Sequence, residues 1–192
     1  MLKRIIGVLT LKPAIYLEIA EDTTATKEAA ILVALSLLIQ GFFAGFIEVD
    51  EQTGIVRSNW TRGLGEAVAV IISGLIAWVI AAWVLAFVAK LLRGKTNTGE
   101  MLRVTGYVEV FGIIAILSLL ALAIPSLAIV TEITVFTIAI LWFIGCVIGV
   151  GEAADLSTRK AFIAAIVAGI INTLIAILFA DLIIRALGIA GS

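Results

Sequence analysis

At 192 residues the chain has the length of one domain, yet 62% of it is hydrophobic and 14% charged, a surface that no water-soluble fold hides and a bilayer accommodates. Its net charge of -1 gives no footing for nucleic acid. No histidine occurs, which removes the commonest general base and metal ligand, and the lone Cys146 excludes an internal disulfide.

Residues 1–27 form an amphipathic cytoplasmic segment ahead of a membrane domain at 28–192. Leu2, Ile5, Ile6 and Leu9 recur at helical spacing beside Lys3 and Arg4, and Pro13 closes the run. Lys12 and Pro13 cut the run too short for a cleaved signal peptide. A second apolar stretch, Ala14–Ala20, ends in Glu21-Asp22-Thr23-Thr24. Two readings stand side by side here: an interfacial helix on anionic lipid or a partner, or a helix packed on the protein's own cytoplasmic face.

Five apolar segments follow, at about 28–47, 64–92, 106–126, 130–150 and 161–187, each long enough to cross a bilayer as a helix. The second and fifth exceed the need and predict tilt or a projecting end. Pro125-Ser126 and Glu132 separate the third from the fourth, because proline disfavours helix before it and glutamate is costly at mid-bilayer. With the N-terminus inside, ten of the thirteen basic residues fall on the cytoplasmic side, and Arg57, Arg62 and Arg185 remain outside. That excess orients the chain N-in and C-out.

Between the first two spans, the loop 48–63 carries Glu48, Asp50 and Glu51, which fit no EF-hand spacing and read as a solvated loop. Asn59-Trp60-Thr61 is a glycosylation acceptor pattern, with Trp60 an anchor at headgroup level. Small residues four apart mark contact faces in lipid: Gly41 with Gly45, Gly145 with Gly149, and the stripe Ala161, Ala165, Gly169, Thr173. These read as packing within one chain, with a homo-oligomer face as the alternative. Polar residues inside spans carry more information, because lipid offers them no partners. Gln40 lies in the first span, Glu109 near the cytoplasmic end of the third, and Asn172 near the middle of the fifth. Either they line a path for a solute or they bond helix to helix. Asp181 and Arg185, four apart, form a local ion pair.

Catalysis finds no support. Gly149-Val150-Gly151-Glu152 has a superficial likeness to the GxGD element of intramembrane aspartyl proteases, but it carries Glu where those use Asp and has no partner carboxylate at its depth. The serines lack a histidine base.

Three stretches together carry a family likeness. Ile5–Pro13 followed by Tyr16-Leu17-Glu18-Ile19 is one; Arg93–Gly106 ending in Tyr107 is the second; Trp142 followed by Gly149–Ala161 is the third. In these the chain resembles the Yip1 family of five-span membrane proteins, in its compact prokaryotic form. Where the family often has a proline after Gly-Tyr, Glu109-Val110-Phe111 stands here, and the long N-terminal region of eukaryotic members is missing. The resemblance implies a five-helix membrane domain without known catalysis; the Rab-linked trafficking role of the longer members is not carried over.

The two inner loops then read as one cytoplasmic platform. Gly94 and Gly99 permit tight turns, Thr98 caps a short helix from Glu100, and Ser157 caps the last span. Tyr107 serves as an aromatic anchor at the bilayer edge. Lys95, Arg103, Arg159 and Lys160 are the groups facing partners or lipid headgroups. The expectation is an all-α, polytopic protein of the cell membrane: no enzyme, no cofactor and no metal. Its cytoplasmic face organises protein partners or lipids, and the alternative is a small transporter or channel subunit using Gln40, Glu109 and Asn172.

Overall fold

The computed structural model describes residues 1–49, 56–114 and 128–186. The leader forms two helices, α1 (Leu2–Leu9) and α2 (Pro13–Glu21). Pro13 opens α2 at its first turn, where its missing N–H costs nothing. Leu11, at φ 52°, turns the chain between them, and Lys12 N donates to Gly7 O across 3.0 Å to close the end of α1. Asp22 then accepts from Thr24 N at 2.9 Å, an Asx turn that hands the chain to α3 (Ala25–Phe46).

Two three-residue strands, β1 (Ile47–Val49) and β2 (Val56–Ser58), pair antiparallel with Glu48 opposite Arg57. The solvated loop expected at 48–63 is thus partly a hairpin, because the ends of two packed helices bring these segments side by side; Asp50 and Glu51 lie outside the described residues. Helix α4 begins at once, at Trp60, and runs to Leu91. Asn59 caps it by accepting from Arg62 N at 3.0 Å, so the asparagine of the acceptor pattern is a helix cap. Trp60 packs on Phe46 with ring centroids 4.8 Å apart. Helix α5 (Thr98–Val108) is started by Asn97, not Thr98: Asn97 Oδ1 accepts from Glu100 N and Glu100 returns the bond to Asn97 N. After Glu109 the chain continues as α6 (Val110–Ile114), then α7 (Ala128–Ala154) and α8 (Thr158–Ala186). Most of the third span expected at 106–126, with its Pro125-Ser126 turn, lies outside the described residues.

Among the described residues three helices are long and apolar enough to cross a membrane: Ala25–Phe43, Trp60–Leu91 and Ile129–Ala154. They expose broad apolar faces, on α4 from Leu64 through Val68, Ile72 and Ile76 to Trp83 and Phe87, as helices do whose solvent is lipid. The tightly packed core lies elsewhere. Val8, Tyr16 and Ile19 of the leader, Met101, Val104 and Tyr107 of α5, and Val150 and Ala154 at the end of α7 are all fully buried together. They meet the start of α3, the last turns of α4 and the first turns of α8 at one end of the bundle.

Glycines set how closely these elements approach. A Cβ on Gly149 would overlap Val104 Cγ1 and stand 3.1 Å from Tyr16 Cδ1; one on Gly145 would stand 3.0 Å from the Tyr16 hydroxyl. This pair seats the leader and α5 within the chain. Gly41 serves the α3–α4 contact, where a Cβ would lie 2.9 Å from Ala67 Cα. On α8 the packed line is Ala161, Ala164 and Ala168, all fully buried, whereas nothing lies within 4 Å of a Cβ on Gly169. The stripe expected at Ala161, Ala165 and Gly169 drifts off the contact face because each four-residue step overshoots a 3.6-residue turn, whereas a three-four alternation stays on it; the Thr173 side chain lies outside the described residues.

Candidate functional site

The loops joining α4 to α5 and α7 to α8 interlock. Each follows a helix closed by a left-handed residue and a backbone bond to the carbonyl five residues back. At the end of α4, Arg93 has φ 70° and Gly94 N donates to Ala89 O at 2.9 Å. Asp155 has φ 51° at the end of α7, with Leu156 N donating to Gly151 O at 2.9 Å. Both satisfy helix-end carbonyls that would otherwise go unpaired. Lys95 N then donates to Ala154 O at 2.8 Å, and Lys160 Nζ donates to Leu92 O at 3.1 Å. Gly94 is required by proximity, since a Cβ there would press within 3.0 Å of Ala154 O. Arg93, Lys95, Arg159 and Lys160 stand exposed around this junction, and the basic end of α8 begins directly after Ser157, whose carbonyl accepts from Ala161 N.

Arg103 does not join them, which corrects the expectation that it faces partners or lipid. It is 7% exposed; Nε donates to Ala20 O at 2.9 Å, Nη2 donates to the same carbonyl, and Nη1 reaches Thr26 Oγ1 at 3.5 Å. The cause is the end of α2: its last carbonyls carry partial negative charge and lack helical donors, and a guanidinium supplies both needs. Tyr107 is likewise no headgroup anchor. It is fully buried, and its hydroxyl donates to Glu28 of α3.

Glu28 belongs to a second cluster, centred on Arg4. This guanidinium donates to Glu18 Oε1 at 3.0 Å, Glu28 Oε2 at 3.2 Å and Asp22 Oδ2, while Lys3 pairs with Glu18 at 3.3 Å. Arg4 thus ties α1 to α2 and α3. The Thr24 hydroxyl and Arg4 hold the Asp22 carboxyl down at about 2, and Arg4 with Lys3 lowers Glu18. Burial raises the Tyr16 phenol, whose hydroxyl donates to Val8 O at 3.2 Å. Sequence reasoning missed this cluster, although Arg4, Glu18 and Asp22 lie within one turn-linked segment.

The third cluster joins α3, the α5–α6 bend and α7, with Ser36 buried, Glu109 half-buried, and Gln40 and Trp142 exposed. Glu109, at the bend between α5 and α6, accepts from Ser36 Oγ at 3.2 Å and from Trp142 Nε1 at 3.2 Å; Gln40 Nε2 donates to Ser36 Oγ at 2.8 Å. Two of the three expected interior residues, Gln40 and Glu109, therefore come together, with Ser36 and Trp142 as members that composition alone did not single out. Ser36 lies one turn before Gln40, which is the signal available in the sequence. Glu109 meets α3 at Ser36, near the middle of that helix's apolar stretch Ala25–Phe43. Asn172 is within α8, and its side chain lies outside the described residues. No group of His, Cys, Asp and Glu suited to a metal occurs among the described residues.

Compared with known proteins, the sequence matches the family described as the Yip1 domain over residues 6–180. No curated protein and no solved structure matches it.

Proposed function

The chain belongs to the Yip1 family, and from that premise we propose that it is a non-enzymatic, five-span membrane scaffold whose basic loop face docks protein partners or lipid headgroups. The family is one of membrane proteins not known for enzymatic activity. The observation that carries the reading is the interlocked junction itself. Two loops distant in sequence are fixed to each other by the Lys95–Ala154 backbone bond and the Lys160–Leu92 bond, with Arg93, Lys95 and Arg159 left at the surface. A preformed, charged surface binds without the cost of ordering it. On the N-in threading favoured by the basic residues, this junction and the leader share the cytoplasmic side.

The test is affinity recovery of partners and lipids from the native membrane. Lys95→Glu with Arg159→Glu reduces recovery several-fold, while Asn172→Leu leaves it intact. Undiminished recovery with the double variant, in a protein that stays folded, refutes the scaffold. The alternative, a small transporter or channel subunit, draws on the interior group at Glu109. It predicts solute flux in proteoliposomes that Asn172→Leu or Glu109→Gln abolishes.

A further inference from the structure

We propose that Glu109 is a proton-binding site between α3, the α5–α6 bend and α7, its two protonation states accommodated by reorientation of the hydrogen-bonded chain Gln40–Ser36–Glu109. The proposal does not rest on the scaffold reading. Ser36, fully buried, lies about 16 Å along α3 from Ala25, near the middle of an apolar stretch long enough to span a bilayer. Its hydroxyl reaches Glu109, so the carboxyl shares that depth.

Among the described residues the bonded partners of Glu109 are Ser36 and Trp142, both uncharged. Helix α3 offers it Ser36 and, through Ser36, Gln40; α7 offers Trp142 and carries the buried, uncharged thiol of Cys146. Helix α1 also packs on α6, but its Arg4 and Lys3 are committed to Glu18, Asp22 and Glu28. Tyr107, two residues earlier, is bonded to Glu28. A carboxyl whose bonded partners are all neutral takes up a proton without breaking an ion pair.

The partners suit both states. When Glu109 is ionised, Gln40 donates to Ser36 and Ser36 donates to the carboxylate, the arrangement observed. When it is protonated, its O–H donates to Ser36 Oγ, and the Ser36 hydroxyl turns to the amide oxygen of Gln40 after an amide flip. Hydroxyl and carboxamide each hold donors and acceptors, so the chain reverses without leaving a group unpaired. Trp142 Nε1, a donor in every state, stays on Oε1. Gly112 makes the space: a Cβ there would stand 2.8 Å from Ser36 Oγ, 3.3 Å from Glu109 Oε2 and 3.6 Å from Gln40 Nε2. Trp142, 38% exposed, covers the carboxyl on the outward side of the bundle, which leaves it within reach of a lipid-soluble reagent.

The experiment treats the full chain in lipid nanodiscs with dicyclohexylcarbodiimide, which attacks protonated carboxyls from the apolar phase, across about pH 5–9, and locates adducts by peptide mass spectrometry. Glu109 is modified, with a rate that falls about tenfold per pH unit above its titration point, and Glu109→Gln removes the adduct. Ser36→Ala, which deletes a donor to the ionised form, moves the fall to higher pH. Absence of an adduct at Glu109 in the folded, unmutated chain overturns the proposal. So does a modification rate with no pH dependence, since the proton would then never leave. The wild-type measurement decides the matter even if a variant fails to fold.

Discussion

At Gly149 the missing side chain is what lets α7 lie against both α2 and α5. Because a Cβ there would overlap Val104, Gly149→Ala destabilises the protein by roughly 1–3 kcal/mol, the cost of overpacking a filled contact. Gly169→Ala, which meets nothing within 4 Å, changes stability by less than about 1 kcal/mol, and in the stabilising direction. Thermal unfolding in detergent separates the two; equal tolerance would mean that the Gly149 contact is not formed. Asp155 provides the opposite case. An exposed non-glycine residue at φ 51° gives up energy to its backbone conformation, so Asp155→Gly raises stability by about 1 kcal/mol in the same assay. A lower melting temperature would show that the Asp155 side chain does something its exposed position does not suggest. Glycine spacing in the sequence pointed to Gly149; nothing in it distinguished Asp155 from any other loop aspartate, since φ is set by where the next element must go.

At the scale of elements, the leader is held by packing on one side and by charge on the other. Val8, Tyr16 and Ile19 bury against the bundle, while Arg4 gathers Glu18, Asp22 and Glu28. The Asp22 carboxyl is depressed from its ordinary 3.8 to about 2, and Glu18 is lowered as well. A carboxyl lowered in the folded state stabilises it above the ordinary value, and that contribution fades as pH falls from about 3.8 towards 2. Acidification through this window therefore loosens α1 before the rest of the bundle, read as faster amide exchange in residues 2–9. Arg4→Gln brings the same loosening at neutral pH and removes most of its acid dependence. Uniform protection of α1 down to pH 2 would assign its anchoring to the apolar contacts alone. The sequence left open whether this segment lies on lipid or on its own protein. Packing on α5 and α7 closed that question for Tyr16 and Ile19, which are fully buried, but not for Leu2 and Ile6, which remain 70% and 52% exposed.

For the molecule as a whole, the consequence of a core gathered at one end is a sharp division of labour. The spans turn broad apolar faces to lipid and meet each other at close contacts such as Gly41 on Ala67; the leader, α5 and the two interlocked loops surround the fully buried core. Single cysteines at Thr53, Lys95 and Ser157, with Cys146 replaced, test the threading that the basic residues predict. An impermeant reagent added outside labels Thr53 and spares Lys95 and Ser157. Labelling at Lys95 with protection at Thr53 would reverse the orientation and move the loop junction to the other face of the membrane.

Composition and hydrophobic run length determined by themselves that this is a helical membrane protein, and the three quoted stretches placed it in its family, because bilayer solvation acts on segments one at a time and needs no knowledge of neighbours. Tertiary structure decided what the charged and polar residues do. Arg103 and Lys95 are alike as letters in one loop, yet the first is spent on the carbonyl end of α2 and the second stays at the surface. Ser36 and Gln40 are one turn apart on α3, but no spacing along the chain relates them to Glu109 at the α5–α6 bend or to Trp142 of α7. A charge inside a protein takes whatever partner the fold brings within hydrogen-bond reach, and that partner is fixed by packing rather than by sequence distance.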